Sequence, residues 1–164
     1  MARPQLSGVL LVGGASRRFG SPKALAELDG ETLAERAWRL LGEACDERLA
    51  VGKADDGLEL PFPLVDDGTE VRAALAGIVA GLRAAACPVA IFLPVDVPFA
   101  SAALIRGLGD ACREAAVTEH GPLPAAIARH ALPVLERRLA SNELRLADAL
   151  AQLAAADVPL IRRF

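Results

Sequence analysis

The chain has 164 residues, enough for one domain with a substantial core, and its 53% apolar and 24% charged residues exclude a disordered segment. A formal net charge of −3 excludes broad attraction to nucleic acid or anionic lipid, and no apolar run reaches the length of a membrane span. Three dispersed cysteines, Cys45, Cys87 and Cys112, make neither a disulfide framework nor a CxxC metal site; buried thiols in a reducing compartment are expected. The first apolar run breaks at Gly13-Gly14, which does not read as a secretory signal, so a cytoplasmic protein is expected.

Gly8 to Val12 is a short apolar run and predicts a strand buried on both faces. Gly13 to Lys23 reads as loop. After the turn dipeptide Asp29-Gly30, Thr32 and Glu35 match a capping box, and Leu33, Ala37, Leu40 and Leu41 follow at helical spacing. Arg48 to Val51 and Pro63 to Val65 are short strands, separated by the turn Asp55-Asp56-Gly57. Leu75, Ile78, Val79 and Leu82 mark a helix closed by Pro88, and Val89 to Pro94 is the next buried strand. Ser101 caps a helix expected to run to about Ala115, with Ala116 to Thr118 as a strand. Leu132, Leu135 and Leu139 share one helix face, as do Leu146, Leu150 and Leu153, and Val158 to Ile161 reads as a last strand. Alternating strands and helices without a long linker predict a single α/β domain over residues 1–164, a three-layer α/β/α sandwich with a mainly parallel sheet. Ligands of such sheets sit outside the carboxyl ends of the strands, here Val12, Val65 and Val95.

The first of these ends carries Gly13-Gly14-Ala15-Ser16-Arg17-Arg18-Phe19-Gly20-Ser21-Pro22-Lys23. Glycines allow backbone N–H groups to approach a phosphate, and Arg17, Arg18 and Lys23 add three cations. Composition alone fits a solvated surface loop equally well. The P-loop is excluded, because Ser21-Pro22 separates Gly20 from Lys23 and Ala24 follows; the glycine spacing also excludes the dinucleotide fingerprint. Asp66 stands at a strand end, with Asp67 beside it able to share its role. Asp96 directly follows a buried strand, where a charge costs stability unless something uses it. A lone aspartate at such a place is also the usual residue of a helix cap or turn. His120 and His130 lie far from any Ser or Cys motif and read as ordinary polar positions, although His120-Gly121-Pro122 lies in a loop able to face an acceptor.

The run Leu11-Val12-Gly13-Gly14, Ser16-Arg17-Arg18-Phe19-Gly20 and Lys23 resembles the opening of the molybdenum cofactor guanylyltransferases and their nucleotidyltransferase relatives. Asp66 before Leu75-Ala76-Gly77, Asp96-Val97-Pro98-Phe99, and Pro122 to Arg129 resemble that family's later motifs in the same order. Departures from its pattern include Val12 in place of alanine, Ala73-Ala74 in place of Gly-Pro, and Gly52-Lys53-Ala54, which contains no asparagine. The resemblance implies a sheet of the nucleotide-diphospho-sugar transferase type (GT-A, Rossmann-like). It implies Leu11, Val12 and Gly13 against the base, with Gly14, Ser16, Arg17, Arg18, Gly20 and Lys23 around the phosphates. Asp66 would then contact the nucleoside, and Asp96 would hold Mg²⁺. Arg17, Lys23 and Asp96 would carry catalysis, transferring GMP from GTP to a molybdopterin-type phosphate acceptor with loss of pyrophosphate. Molybdoenzymes or cofactor-biosynthesis proteins would be its protein partners. A cytidylyltransferase, a sugar-phosphate nucleotidyltransferase and a non-catalytic nucleotide-binding module are the alternatives. Neither a basic stripe nor an aromatic stacking platform points to nucleic acid.

Overall fold

In the first strand, β1 (Leu6–Leu11), every residue is buried, and successive side chains enter opposite layers. Leu6 and Leu10 join one core, while Val9 and Leu11 join the other. The computed structural model describes residues 3–12, 17–18, 21–97 and 99–158. Gly13, Gly14, Ser16 and Gly20, together with Pro98 and the expected strand residues Pro159 to Ile161, lie outside the described residues.

Two short hairpins precede the first helix, one within the segment expected as loop and one around the expected turn Asp29-Gly30. In the first, β2 (Arg17–Arg18) pairs antiparallel with β3 (Ser21–Pro22). A single 3-10 turn over Lys23–Leu25 follows. In the second hairpin, β4 (Glu27–Leu28) pairs with β5 (Glu31–Thr32) across Asp29 and Gly30, both at positive φ, as a tight two-residue turn of this kind requires. Helix α1 (Leu33–Ala44) begins where the capping box predicts. The Thr32 hydroxyl accepts from the Glu35 N–H at 3.1 Å and donates to the Glu35 carboxylate at 3.2 Å.

Strand β6 (Glu47–Gly52) leads to β7 (Leu64–Asp66), helix α2 (Ala74–Ala84) and β8 (Val89–Pro94). Helix α3 (Ala102–Ala111) is capped by Ser101, whose hydroxyl accepts from Leu104 N–H at 3.1 Å. It stops four residues before the expected end. The next residues turn, and β9 (Ala115–Thr118) joins the sheet instead. Strand β10 (Gly121–Ala128), helices α4 (Leu132–Ala140) and α5 (Leu146–Gln152), and β11 (Ala156–Val158) complete the described chain.

Seven strands form one sheet in the order β11-β9-β10-β8-β1-β6-β7. Neighbours are parallel except at β10, which runs against both β8 and β9. The sheet is therefore mainly parallel, as expected. Its antiparallel member was not legible, because Pro122 and Pro124 argue against a strand. The ladder to β9 shifts register between Gly121 and Ala125, so both prolines fall in an irregularity that needs no N–H from them. Helices α1 and α3 cover one face of the sheet; α2, α4 and α5 cover the other. After β1 the chain goes to β6 on one side and later returns to β8 on the other. That reversal places the topological switch point at the carboxyl end of β1.

Candidate functional site

Register brings the strand ends together. Leu11 is the partner of both Val51 and Pro94, and Val12 N–H continues the ladder to Val51 C=O at 3.0 Å. Beyond these ends lies a cavity of about 290 Å³. Leu11, Pro94 and Leu123 supply apolar walls, and Ala73, Ala74 and Gly77 at the start of α2 close it from one side. Gly77 is required by contact. A Cβ there would stand 2.9 Å from Leu11 Cδ2, so its absence lets α2 approach β1 at the cavity floor.

The polar wall comes from Lys53, to which the sequence reading gave no role, and from Asp67, the residue able to share the role of Asp66. Lys53 follows β6, and Asp67 follows β7; both line the cavity, with side chains 11% and 6% exposed. Lys53 Nζ donates to Asp67 Oδ1 at 3.0 Å, to Asp67 Oδ2 at 2.8 Å and to Thr69 C=O at 2.6 Å. Asp67 Oδ1 also accepts from Thr69 N–H at 3.2 Å. Arg72 reaches the same cavity and pairs with Asp56 at 3.0 Å.

Asp66 is placed differently. Its two carboxylate oxygens accept from Ala54 N–H and Gly68 N–H, each at 2.9 Å, and the side chain faces the outer groove with Asp55 and Glu70 rather than the Leu11 cavity. Those two backbone N–H groups hold its carboxyl below the usual aspartate range. Its observed work is therefore to shape the turn.

Lys23 and Asp96 meet. Lys23 opens the 3-10 turn that Ala24 anchors in the core, and its ammonium pairs with the Asp96 carboxylate just beyond β8. The side chains are 22% and 41% exposed, so Asp96 remains solvated and does not carry the burial cost anticipated from its place after a buried strand. The backbone of Arg17 and Arg18 lies in the preceding hairpin, close in sequence to Lys23. His120, on the turn between β9 and β10, packs against Phe99 with ring centroids 5.2 Å apart, which brings it to the segment following Asp96. His130 lies elsewhere, in the 3-10 turn before α4.

Among the described residues no group of three or more His, Cys, Asp or Glu side chains is placed to hold a metal ion, and no helix is long and apolar enough to cross a membrane. All three cysteines are free thiols; Cys87 is buried, and Cys45 and Cys112 are partly so.

Known proteins share this sequence and architecture. A Chloroflexus aggregans protein named "probable molybdenum cofactor guanylyltransferase" is 37% identical over 161 residues, covering 90% of this chain and 77% of its own length. The molybdenum cofactor guanylyltransferase of Desulfosudis oleivorans is 35% identical over 144 residues, with 82% and 71% covered. The crystal structure of molybdopterin-guanine dinucleotide biosynthesis protein A from Archaeoglobus fulgidus superimposes with a TM-score of 0.76 at 25% identity, covering 94% of this chain and 83% of that one. The family model described as the MobA-like NTP transferase domain matches residues 8–158, and the chain belongs to this family of nucleotidyltransferases.

Proposed function

We propose that this chain, acting as one catalytic unit, transfers GMP from GTP to the terminal phosphate of molybdenum-bound molybdopterin and releases pyrophosphate. One observation carries the reading: Lys23 and Asp96 meet just beyond β8, whose last residue Pro94 lines the strand-end cavity, in a chain whose relatives are named molybdenum cofactor guanylyltransferases.

In this reading the base lies in the cavity against Leu11 and Val12. Gly13 continues that base contact; Gly14, Ser16 and Gly20 offer backbone N–H groups to the triphosphate, and Arg17, Arg18 and Lys23 neutralise it. The nucleoside contact assigned to Asp66 passes to Asp67, because Asp67 lines the cavity and Asp66 faces the outer groove. Asp96 would hold Mg²⁺. One solvated carboxylate suits this hard cation, which ordinarily completes its shell with water and phosphate oxygens. Bound there, Mg²⁺ supplies Lewis-acid stabilisation of phosphate charge.

An acceptor phosphate oxygen attacks the α-phosphorus of GTP. The bond from that phosphorus to the β-phosphate oxygen breaks, its electron pair leaves with pyrophosphate, and a new diphosphate linkage forms. The attacking oxygen is already anionic, so no side chain has to remove a proton. The protein's task is to bring two anions together in line, by positioning and by fixed positive charge. Lys23 would supply such charge together with Arg17 and Arg18. Free thiols and a GTP substrate favour a cytoplasmic location, with molybdoenzymes or cofactor-biosynthesis proteins receiving the product.

The test is pyrophosphate release with GTP, CTP, ATP and UTP, with and without molybdopterin. The expected result is release with GTP only when the acceptor is present, falling about 100-fold or more in Asp96→Asn. Preference for CTP, or turnover only with sugar phosphates, would overturn the assignment.

A further inference from the structure

We infer that Phe99 and His120 form an acceptor platform, an aromatic pair on which the planar pterin of the acceptor stacks with its phosphate toward Lys23 and Asp96. The inference rests on the reaction proposed above and deepens it, by assigning the residues that select the acceptor's ring.

Topology leaves one half of the sheet edge for a second substrate. The strand-end cavity occupies the carboxyl ends of β1, β6 and β7 through Leu11, Gly52 and Asp67. Strands β8 and β9 both run against β10 between them, and β11 runs parallel to β9, so Pro94, Thr118 and Val158 end on one edge. In that order β9 lies two strand spacings, about 10 Å, beyond β8. Phe99 and His120 bridge the interval. Phe99 comes three residues after Asp96, and His120 stands on the turn that leaves β9. A cleft of about 790 Å³ opens beyond that turn, lined by Thr118, Glu119, Gly121 and Pro122 and, across from them, by Leu150 and Asp157.

The pair is fixed and exposed at once. Phe99 is 38% exposed, one of three large apolar side chains so exposed among the described residues. A lone exposed phenylalanine is ordinary. This one packs on an imidazole brought from another strand connection, with ring centroids 5.2 Å apart and planes tilted by 50°. His120 is exposed too, yet its backbone is held. Its N–H donates to Oγ1 of the buried Thr118 at 3.3 Å, and Gly121 follows at φ 134°, a conformation that favours glycine. Two exposed rings thus meet at an angle. A flat heterocycle can stack on one while its edge meets the other.

Charge sets the direction. The cleft carries the carboxylates of Glu119 and Asp157, which suit the amine and ring N–H of a pterin and disfavour a phosphate. Lys23, with Arg17 and Arg18 in the hairpin before it, supplies the cations at the other end. The phosphate therefore points to Asp96 and the amine edge to the cleft. A sugar phosphate shares the anionic end but has no aromatic face, so the platform favours the pterin acceptor over it.

The measurement is the rate of pyrophosphate release by the full chain at saturating GTP and Mg²⁺ with molybdopterin varied, together with equilibrium binding of GTP. Two inhibitors divide the acceptor: 6-hydroxymethylpterin has the ring without the phosphate, and ribose 5-phosphate has the phosphate without the ring. Phe99→Ala and His120→Ala should each raise KM for molybdopterin about tenfold, with kcat changed less than about threefold and GTP binding less than about twofold. Phe99→Tyr and His120→Phe keep the rings and should stay within about threefold of wild type, whereas Phe99→Leu should behave as Phe99→Ala. 6-Hydroxymethylpterin should compete with molybdopterin, about tenfold more weakly in Phe99→Ala, while ribose 5-phosphate inhibits both chains equally. If one alanine variant fails to fold, the other decides. Unchanged KM in the alanine variants, full rescue by Phe99→Leu, or no competition by 6-hydroxymethylpterin overturns the platform while leaving the proposed function intact. A wild-type chain that turns over sugar phosphates and not molybdopterin overturns the proposed function itself, and the platform with it.

Discussion

Two helical glycines respond oppositely to the same substitution. Gly81 lies in α2 on the face toward β1 and β8, and an added Cβ would stand 2.7 Å from Phe92 Cε1 and 2.9 Å from Val9 Cγ1. Both neighbours are fully buried, one a ring and the other a β-branched side chain with little rotamer freedom, so neither can yield cheaply. Gly107 lies in α3, and a Cβ there meets nothing within 4 Å. Replacing Gly by Ala within a helix stabilises it by about 1 kcal/mol through backbone entropy. Overpacking a core costs about 1–3 kcal/mol. Gly107→Ala should therefore gain about 1 kcal/mol, whereas Gly81→Ala should lose about 1 kcal/mol, and at most about 2, after its propensity gain is subtracted. The difference, about 2 kcal/mol, corresponds to roughly 4–8 °C in Tm for a domain of this size. Urea unfolding followed by the emission of Trp38, the single tryptophan, measures both variants. Its ring stacks on Phe62 at 4.3 Å and so reports loss of tertiary packing. Equal stabilisation of the two variants would refute the claim that α2 is seated on the sheet by missing side chains. The same close approach, at Gly77 against Leu11, sets the floor of the cavity.

Asp66 predicts a pH dependence. Its folded carboxyl is held below the ordinary value by Ala54 N–H and Gly68 N–H, so the stability it contributes is present above about pH 4 and is lost as pH falls through the lowered folded value. Urea melts at pH 3 and pH 6 should show a smaller acid loss in Asp66→Asn than in wild type; an identical loss would refute the assignment. Burial, with a smaller contribution from the charge of Asp46, pushes the Cys45 thiol up to about 12. At pH 8 its thiolate fraction, and hence its alkylation by iodoacetamide, should be on the order of a thousandfold below that of the urea-unfolded chain. Labelling of the native protein at the unfolded rate would contradict that burial.

Local signals predicted local structure well. The cap at Thr32, the cap at Ser101 and the buried run Val89 to Pro94 each depend on residues within a few positions, and all three stand where the sequence placed them. The hairpin inside the loop, the strand pairing around the expected Asp29-Gly30 turn and the early end of α3 were missed, because ladder pairing and packing outweigh composition there. The spacing of the motifs also sufficed to indicate the family and to nominate Lys23 and Asp96, which meet across 73 positions of sequence.

Which of two adjacent aspartates faces the cavity was a different kind of question. Consecutive side chains at a strand end point to opposite sides, so the choice between Asp66 and Asp67 depends on register. Pairing of Gly52 with Asp66, continued by Asp67 N–H to Gly52 C=O at 2.9 Å, turns Asp66 to the backbone of its own turn and Asp67 to Lys53. Sequence alone thus determined the layered fold, the family and the charged loop at the switch point, because each rests on spacing along the chain. Only the tertiary structure decided the polar wall of the cavity, because a buried ion pair exists where two strand ends are brought side by side.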